Sequence, residues 1–377
     1  MNCCSELIVS MRTVIFTAIS CTSRPCVWNR GSLKHDPSIV TDRQYASFKM
    51  DIRRRATFDP RLQSFQSGYP TRQEINDFLC ALSCKEVPCM FQTHLAIIYQ
   101  DFTYSSEDLE IIQVFRTQFY TALGELMSTH LPSPGYEGPF ELKDTRGQST
   151  NDIWHFVRSI CCPASVCRRI AHMRDQHSYI DFLRSHLWKL NRVVTKGMKY
   201  GLDNEDRARQ AYLAKKQVED SSVKVRVPGF YMHTEIPGQG CSSDGIVTSE
   251  KEEPKCVEIK CPRQYRKKDP NKFDEDVSQK KLNSQCCCLR REANGSISLK
   301  TNHPYYDQVQ MQMGILGFSN CDFFVWSPVA SVCISVDFNL SRWEFLKDKL
   351  LQFHWEVLVL EYFTMRTPRR LTPICLP

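Results

Sequence analysis

The chain reads as a mixed α/β protein: a central mixed sheet flanked by helices, preceded by a mainly helical N-terminal region. Three observations predict this. Apolar residues recur every three or four positions from Leu109 to Leu126. Short runs rich in Val and Ile, separated by Pro and Gly, fill residues 223–260. A helix, two strands and a strongly apolar helix then follow one another from Pro304 to Leu360.

The elements follow in order. Residues 1–56 carry no clear period and read as a poorly ordered leader. The apolar run Val14–Cys21 is far shorter than the roughly 18 residues of a membrane span, and a signal peptide starting at Met11 is the weaker reading. Residues 57–145 read as a helical accessory region, with helices near 71–82 and at 106–129, the second opened by a capping box of Ser105 and Asp108. The Pro- and Gly-rich stretch Pro132–Pro139 breaks the chain and suggests a domain boundary before residue 146. Residues 146–365 form the main domain, and 366–377 a tail. Within the domain, helices are expected at 152–160, 164–173, 178–190 and 203–218. Strands are expected at Val223–Val227, Tyr231–Ile236, Gly245–Thr248 and Cys256–Lys260. A polar insert spans 263–301, with ten Lys and Arg against five Asp and Glu, close to the whole chain's formal excess of +7. It reads either as a DNA-backbone track or as a solvated loop. A helix at 304–317 and strands at Cys321–Trp326 and Val332–Phe338 come next. Ser341 and Glu344 form a second capping box for a helix whose aromatics, Trp343 and Trp355 among them, read as core.

A hydrophobic content of 42% and a charged content of 24% exclude collagen-like, mucin-like and wholly disordered readings. The 19 cysteines are odd in number and show no Cys-x-x-Cys pair. That argues against a disulfide framework and for a reduced intracellular protein, with nuclear location open. A zinc module is the weaker reading; Cys80, Cys84 and Cys89, and Cys161, Cys162 and Cys167, are the nearest approach to a ligand set.

The chemistry concentrates in Asp244-Gly245 and Glu258-Ile259-Lys260-Cys261-Pro262. On a strand, Glu258 and Lys260 share one face while Val257 and Ile259 take the other. If Asp244 ends the neighbouring strand, two carboxylates, the Ile259 carbonyl and an ammonium converge. Such oxygens suit magnesium, and a lysine beside them can orient a metal-held water or help deprotonate it.

Asp244…Glu258-Ile-Lys260 matches the PD-(D/E)xK nuclease pattern. The chain more closely resembles the YqaJ-like viral recombinase family, of the lambda exonuclease type. Four blocks carry the resemblance, from about Gln148 to Trp326: Trp154 to Arg158 with Ala164-Ser165; Tyr200-Gly201 with Glu205, Ala208, Arg209 and Tyr212; the Asp244 and Glu258-Ile-Lys260 pair; and Tyr305 to Gln310 with Met313 and Gly317. Phe58-Asp59-Pro60-Arg61 and Gly147-Gln148-Ser149 are similar to longer eukaryotic members, many derived from mobile elements. The resemblance implies a restriction-endonuclease-like core and a magnesium-dependent DNA nuclease, with manganese as a substitute. It implies catalytic roles for Glu205, Asp244, Glu258, Lys260 and Gln308. Asp244, Glu258, the Ile259 carbonyl and Glu205 would hold metal. Arg158 and Ser165 would bind a DNA phosphate. DNA is the implied partner and no membrane is; homo-oligomerisation and a strand-annealing partner protein stay open.

Two departures stand out. Ser243 replaces the usual proline before Asp-Gly, and Cys162-Pro163 replaces Ile-Thr before Ala164-Ser165. An inactive, mobile-element-derived module that binds DNA or protein is the alternative, and retention of all five chemical residues argues against it.

Overall fold

The computed structural model describes residues 106–174, 176–189, 195–279, 287–369 and 371–374. The expected leader, the helix at 71–82, the Ser105 cap, Cys80, Cys84 and Cys89 lie outside them. All described residues fall in one compact unit, Phe102–Pro377.

Helix α1 (Ser106–Ser128) is followed by β1 (Pro139–Leu142), α2 (Asp152–Ile160), the short β2 (Cys162–Pro163), α3 (Cys167–Ala171), α4 (Gln176–His186) and α5 (Lys196–Glu219). Strands β3 (Lys224–Arg226), β4 (Phe230–His233), β5 (Gln239–Cys241), β6 (Gly245–Thr248) and β7 (Lys255–Lys260) come next. After α6 (Phe273–Ser278), β8 (Leu289–Arg291) and β9 (Ile297–Leu299), the chain forms α7 (Pro304–Leu316), β10 (Asn320–Trp326), β11 (Ser331–Asp337), α8 (Leu340–Phe353) and, beyond a π-helical turn at His354–Leu358, α9 (Val359–Thr364).

The central sheet has the order β11-β10-β7-β6-β3. Only the β7–β10 pairing is parallel, with Phe323 opposite Glu258 and Phe324 opposite Ile259. A parallel pair needs a long crossover, which the insert and α7 supply. A second sheet runs β1-β4-β5-β2, and β8 pairs with β9 as a hairpin. On one face of the central sheet, Val257 and Ile259 pack with Ala208 and Tyr212 of α5, as the alternation along β7 predicts. Glu258 faces α7 instead.

The ends of α7 follow from sequence punctuation. His303 caps its start by accepting from the Tyr305 amide, Pro304 occupies the first turn, and Gly317 closes it at φ 71°. The helix is buried on nearly every face. Gly314 lets α8 approach, because a Cβ there would overlap the Trp343 indole.

Several elements differ from expectation. The Pro132–Pro139 stretch belongs to the compact unit Phe102–Pro377. β1 pairs antiparallel with β4, and Phe115 of α1 stacks on Phe363 at 4.8 Å. Such long-range partners leave no local mark. The 164–173 helix divides into a 3-10 turn, Ala164–Val166, and α3. Helix α5 starts well before residue 203, because Thr195 accepts from the Met198 amide and caps it there. The Ser341 and Glu344 capping box does not form; Asn339 caps α8 by accepting from the Arg342 amide. Trp343 is core, but Trp355 is exposed at the surface, where Arg116 lies 4.4 Å over its ring. The described part of the 263–301 insert is not a solvated loop: Tyr265, Phe273, Leu289 and Leu299 are buried, and Arg291 pairs with Asp274. No helix among the described residues is long and apolar enough to cross a membrane. The cysteines among them are free thiols, nearly all buried.

Gly314→Ala should lower stability by about 1–3 kcal/mol, the usual cost of overpacking a filled core. Urea unfolding would measure it, and an unchanged midpoint would show that α7 and α8 do not depend on the close approach.

Candidate active site

The site is built where β7, the turn before β6, α5 and α7 meet. Glu258 is its centre. Its carboxylate is 1% exposed in the middle of a sheet, where an unpaired charge would be prohibitive. Three donors compensate it. Lys260, two residues along the same strand face, pairs with Oε1. The Gln308 amide donates to Oε1 at 2.6 Å, and the Gln312 amide donates to Oε2 at 2.6 Å. Residues four apart share a helix face, so α7 presents both amides together.

Asp244 sits just before β6. Its Oδ2 accepts from the Ile259 amide at 2.6 Å, and its own amide donates to the Val257 carbonyl at 3.2 Å, which ties it to β7. Burial, then the neighbouring Glu258 charge, push its carboxyl well above the usual carboxylate range, against the opposing pull of Lys260. Glu205, on α5, is raised by burial; Arg209 pulls it back, Glu258 raises it and Lys260 lowers it. Arg209 donates to Glu205 Oε1 at 2.7 Å and to the Asp244 carbonyl at 3.0 Å, so one guanidinium fixes both elements. Burial works against the Lys260 ammonium, but Glu258 and Asp244 outweigh it, and its pKa stands above the ordinary lysine value. Tyr305 lies under it, the ring centroid 4.6 Å from Nζ.

The structure thus brings Glu205, Asp244, Glu258, Lys260 and Gln308 together. Gln308 and Gln312 are not exposed amides but buried donors, at 9% and 0% exposure. Gln310 turns away; its amide donates to the Asp337 carbonyl and its oxygen accepts from the Asn339 amide. Arg158 and Ser165 meet at 2.8 Å, with the guanidinium 4.2 Å over the Trp154 ring. Trp154 Nε1 in turn donates to Ser242 Oγ at 2.8 Å, which joins this pair to the turn carrying Asp244.

Sequence reasoning missed Gln312, Arg209 and Tyr305 as site residues. The signal for the first two was spacing: Gln312 follows Gln308 by four, and Arg209 follows Glu205 by four, so each pair shares a helix face.

No group of three or more His, Cys, Asp or Glu side chains among the described residues is arranged to hold a metal by itself. Magnesium does not require one, since it is usually held by one or two carboxylates, waters and substrate phosphates. The donor set fits such an ion. Asp244, just before β6, and Glu258, on the neighbouring β7, offer hard carboxylate oxygens, and Asp244 is raised by burial and then by the Glu258 charge, which a cation would offset.

Fold and site together define a class: an α/β protein that gathers acids, a lysine and an amide where two neighbouring strands meet a helix. Residues 154–319, a little under half of the chain, match the model of the YqaJ-like viral recombinase domain. No curated protein gives a significant match. Similar solved structures include an alkaline exonuclease from Laribacter hongkongensis, 19% identical, covering 57% of this chain and 94% of that one at a TM-score of 0.38. A phage-related exonuclease from Haemophilus somnus is 10% identical, covering 56% and 96% at a TM-score of 0.37. The protein of a SOX–DNA complex is 14% identical, covering 75% and 80% at a TM-score of 0.33.

Because folding raises the Asp244 carboxyl, its ionised form costs stability at neutral pH, and that cost is relieved as pH falls through the raised value. Asp244→Asn keeps an acceptor for the Ile259 amide. Its stability in EDTA at pH 7 should rise by about 0.5–2 kcal/mol, as is common at functional sites. The gain should shrink in acid, where folded wild type takes up the proton. Thermal unfolding across pH would read both.

Proposed function

We propose that the domain is a magnesium-dependent DNA nuclease of the exonuclease type, hydrolysing phosphodiester bonds with water. One observation carries the reading: Asp244, Glu258, Lys260 and Gln308 converge, with Glu205 beside them, inside a stretch that matches the YqaJ-like viral recombinase domain. When bound by Asp244, Glu258 and the Ile259 carbonyl, with Glu205 alongside, magnesium would polarise the scissile phosphate and offset the charge of the transition state.

The protein's own groups divide the rest. Lys260, paired with the Glu258 carboxylate on the same strand face, would orient the attacking water as a hydrogen-bond donor. Gln308 offers a neutral amide that can donate and accept without altering the charge of the site. Gln312 and Arg209 position Glu258 and Glu205. Arg158 presents a planar fork, held over the Trp154 ring, suited to the dianion of a terminal five-prime phosphate, and Ser165 adds a hydroxyl. The products would carry five-prime phosphates.

The purified protein should degrade duplex DNA with magnesium and stop in EDTA. Lys260→Ala should reduce the rate by about a hundredfold or more, as removing one preorganised charge-stabilising donor does. Gln312→Leu should lower the rate less. Wild type that binds DNA but cuts neither single nor double strands under magnesium or manganese would replace the enzyme with a binding module.

A further inference from the structure

The first turns of α7 serve two places at once. Tyr305 and Gln308 face the carboxylate site, under Lys260 and against Glu258. Tyr306 lines a separate open cleft of about 380 Å³, and the buried Asp307 holds two of the arginines that line it. Arg168 of α3, Arg342 of α8, His172, Thr301, Asn302 and Tyr306 line it.

Two guanidiniums are held there by one sealed acid. Asp307 is 0% exposed. Arg342 grips it with both ends of its fork, Nε to Oδ1 at 2.7 Å and Nη2 to Oδ2 at 2.8 Å. Arg168 adds Nη1 to Oδ2 at 2.8 Å. The balance of these three groups is one net positive charge. The arginines remain about a quarter open, at 27% and 26%, while the carboxylate is shut away. An anion entering the cleft therefore meets guanidinium edges already oriented, and no acid among the lining residues repels it.

Two connections link the cleft to the rest of the site. Arg168 follows Ser165 by three residues, so the Arg158–Ser165 pair and the cleft stand on consecutive turns of one segment. His303, which caps α7, lies in the field of Lys300, Arg168 and Lys260 together. The cleft and the carboxylate site thus flank a single helix start.

Resting on the nuclease reading, we propose that the Arg168–Arg342 cleft is a second phosphate subsite, which takes an internal backbone phosphate of DNA while the neighbouring acids cut. A terminal monophosphate shares the chemistry, but the Arg158 and Ser165 donors already suit it. The cleft is open at the surface, as a continuous strand requires.

The test uses the full chain, five-prime-phosphorylated and five-prime-hydroxyl duplexes, and EDTA to stop cleavage. Arg168→Gln removes one fork. Asn302→Asp sets a carboxylate at the exposed mouth without touching the shell of Asp307, so it carries the test even if Arg168→Gln fails to fold. Each folded variant should weaken binding by about tenfold, equally for both duplexes, and reduce the slope of log affinity against log salt by about one. Wild-type affinity and slope in a folded Asn302→Asp protein would overturn the proposal. So would weakening confined to the phosphorylated duplex, which would make the cleft a terminal-phosphate site. In either case wild-type cleavage would leave the nuclease standing, whereas wild type that neither binds nor cuts DNA removes both.

Discussion

Burial of the Glu258 carboxylate is the constraint on which the rest depends. A charged group in the middle of a sheet must be met by donors from whatever packs on it. Lys260 meets it from the same strand, and Gln308 and Gln312 meet it from α7. The alignment of α7 over β7 is therefore fixed by polar matching as well as by apolar packing. The capping residues of α7, the close approach at Gly314 and the parallel β7–β10 pairing all serve to hold that helix in place.

The cost of the arrangement falls on the acids. Glu205, Asp244 and Glu258 each lie in the field of another, and Asp244 is pushed away from ionisation. A protein selected only for stability would not crowd carboxylates at a strand end with so few cations nearby. Arg209 and Lys260 offset part of the charge, and each does so while tying separate elements together.

Much of this was legible in the amino-acid sequence, and the limits have physical causes. Gly245–Thr248 announces itself as a strand through β-branched residues, and the Pro304 to Gly317 punctuation marks α7. Asp244, Glu258 and Lys260 stand out because alternation along a strand puts a glutamate and a lysine on one face. Gln312 was visible only as spacing, since nothing local says that an amide four residues after Gln308 will be buried. The strands β1, β2 and β5 are too short to show a period, and their pairing depends on partners up to 94 residues away, as Pro139 with His233 does. The cap at Asn339 displaced the more conspicuous Ser341 and Glu344 pair, and Thr195 opened α5 ahead of its expected start, because capping is decided by backbone geometry and not by residue type alone.

The packing on either flank of the site limits how far the molecule tolerates trimming. Leu142 and Phe140 are buried where β1 borders β4, and Glu141 between them is gripped by Arg146 and Arg226. At the other end, Trp343 covers α7 at Gly314. A fragment trimmed to residues 154–319 would keep every acid of the site, yet it would strip both flanks, baring a sheet edge and the back of the helix that carries Gln308. The recognisable stretch is thus smaller than the packed unit that contains it.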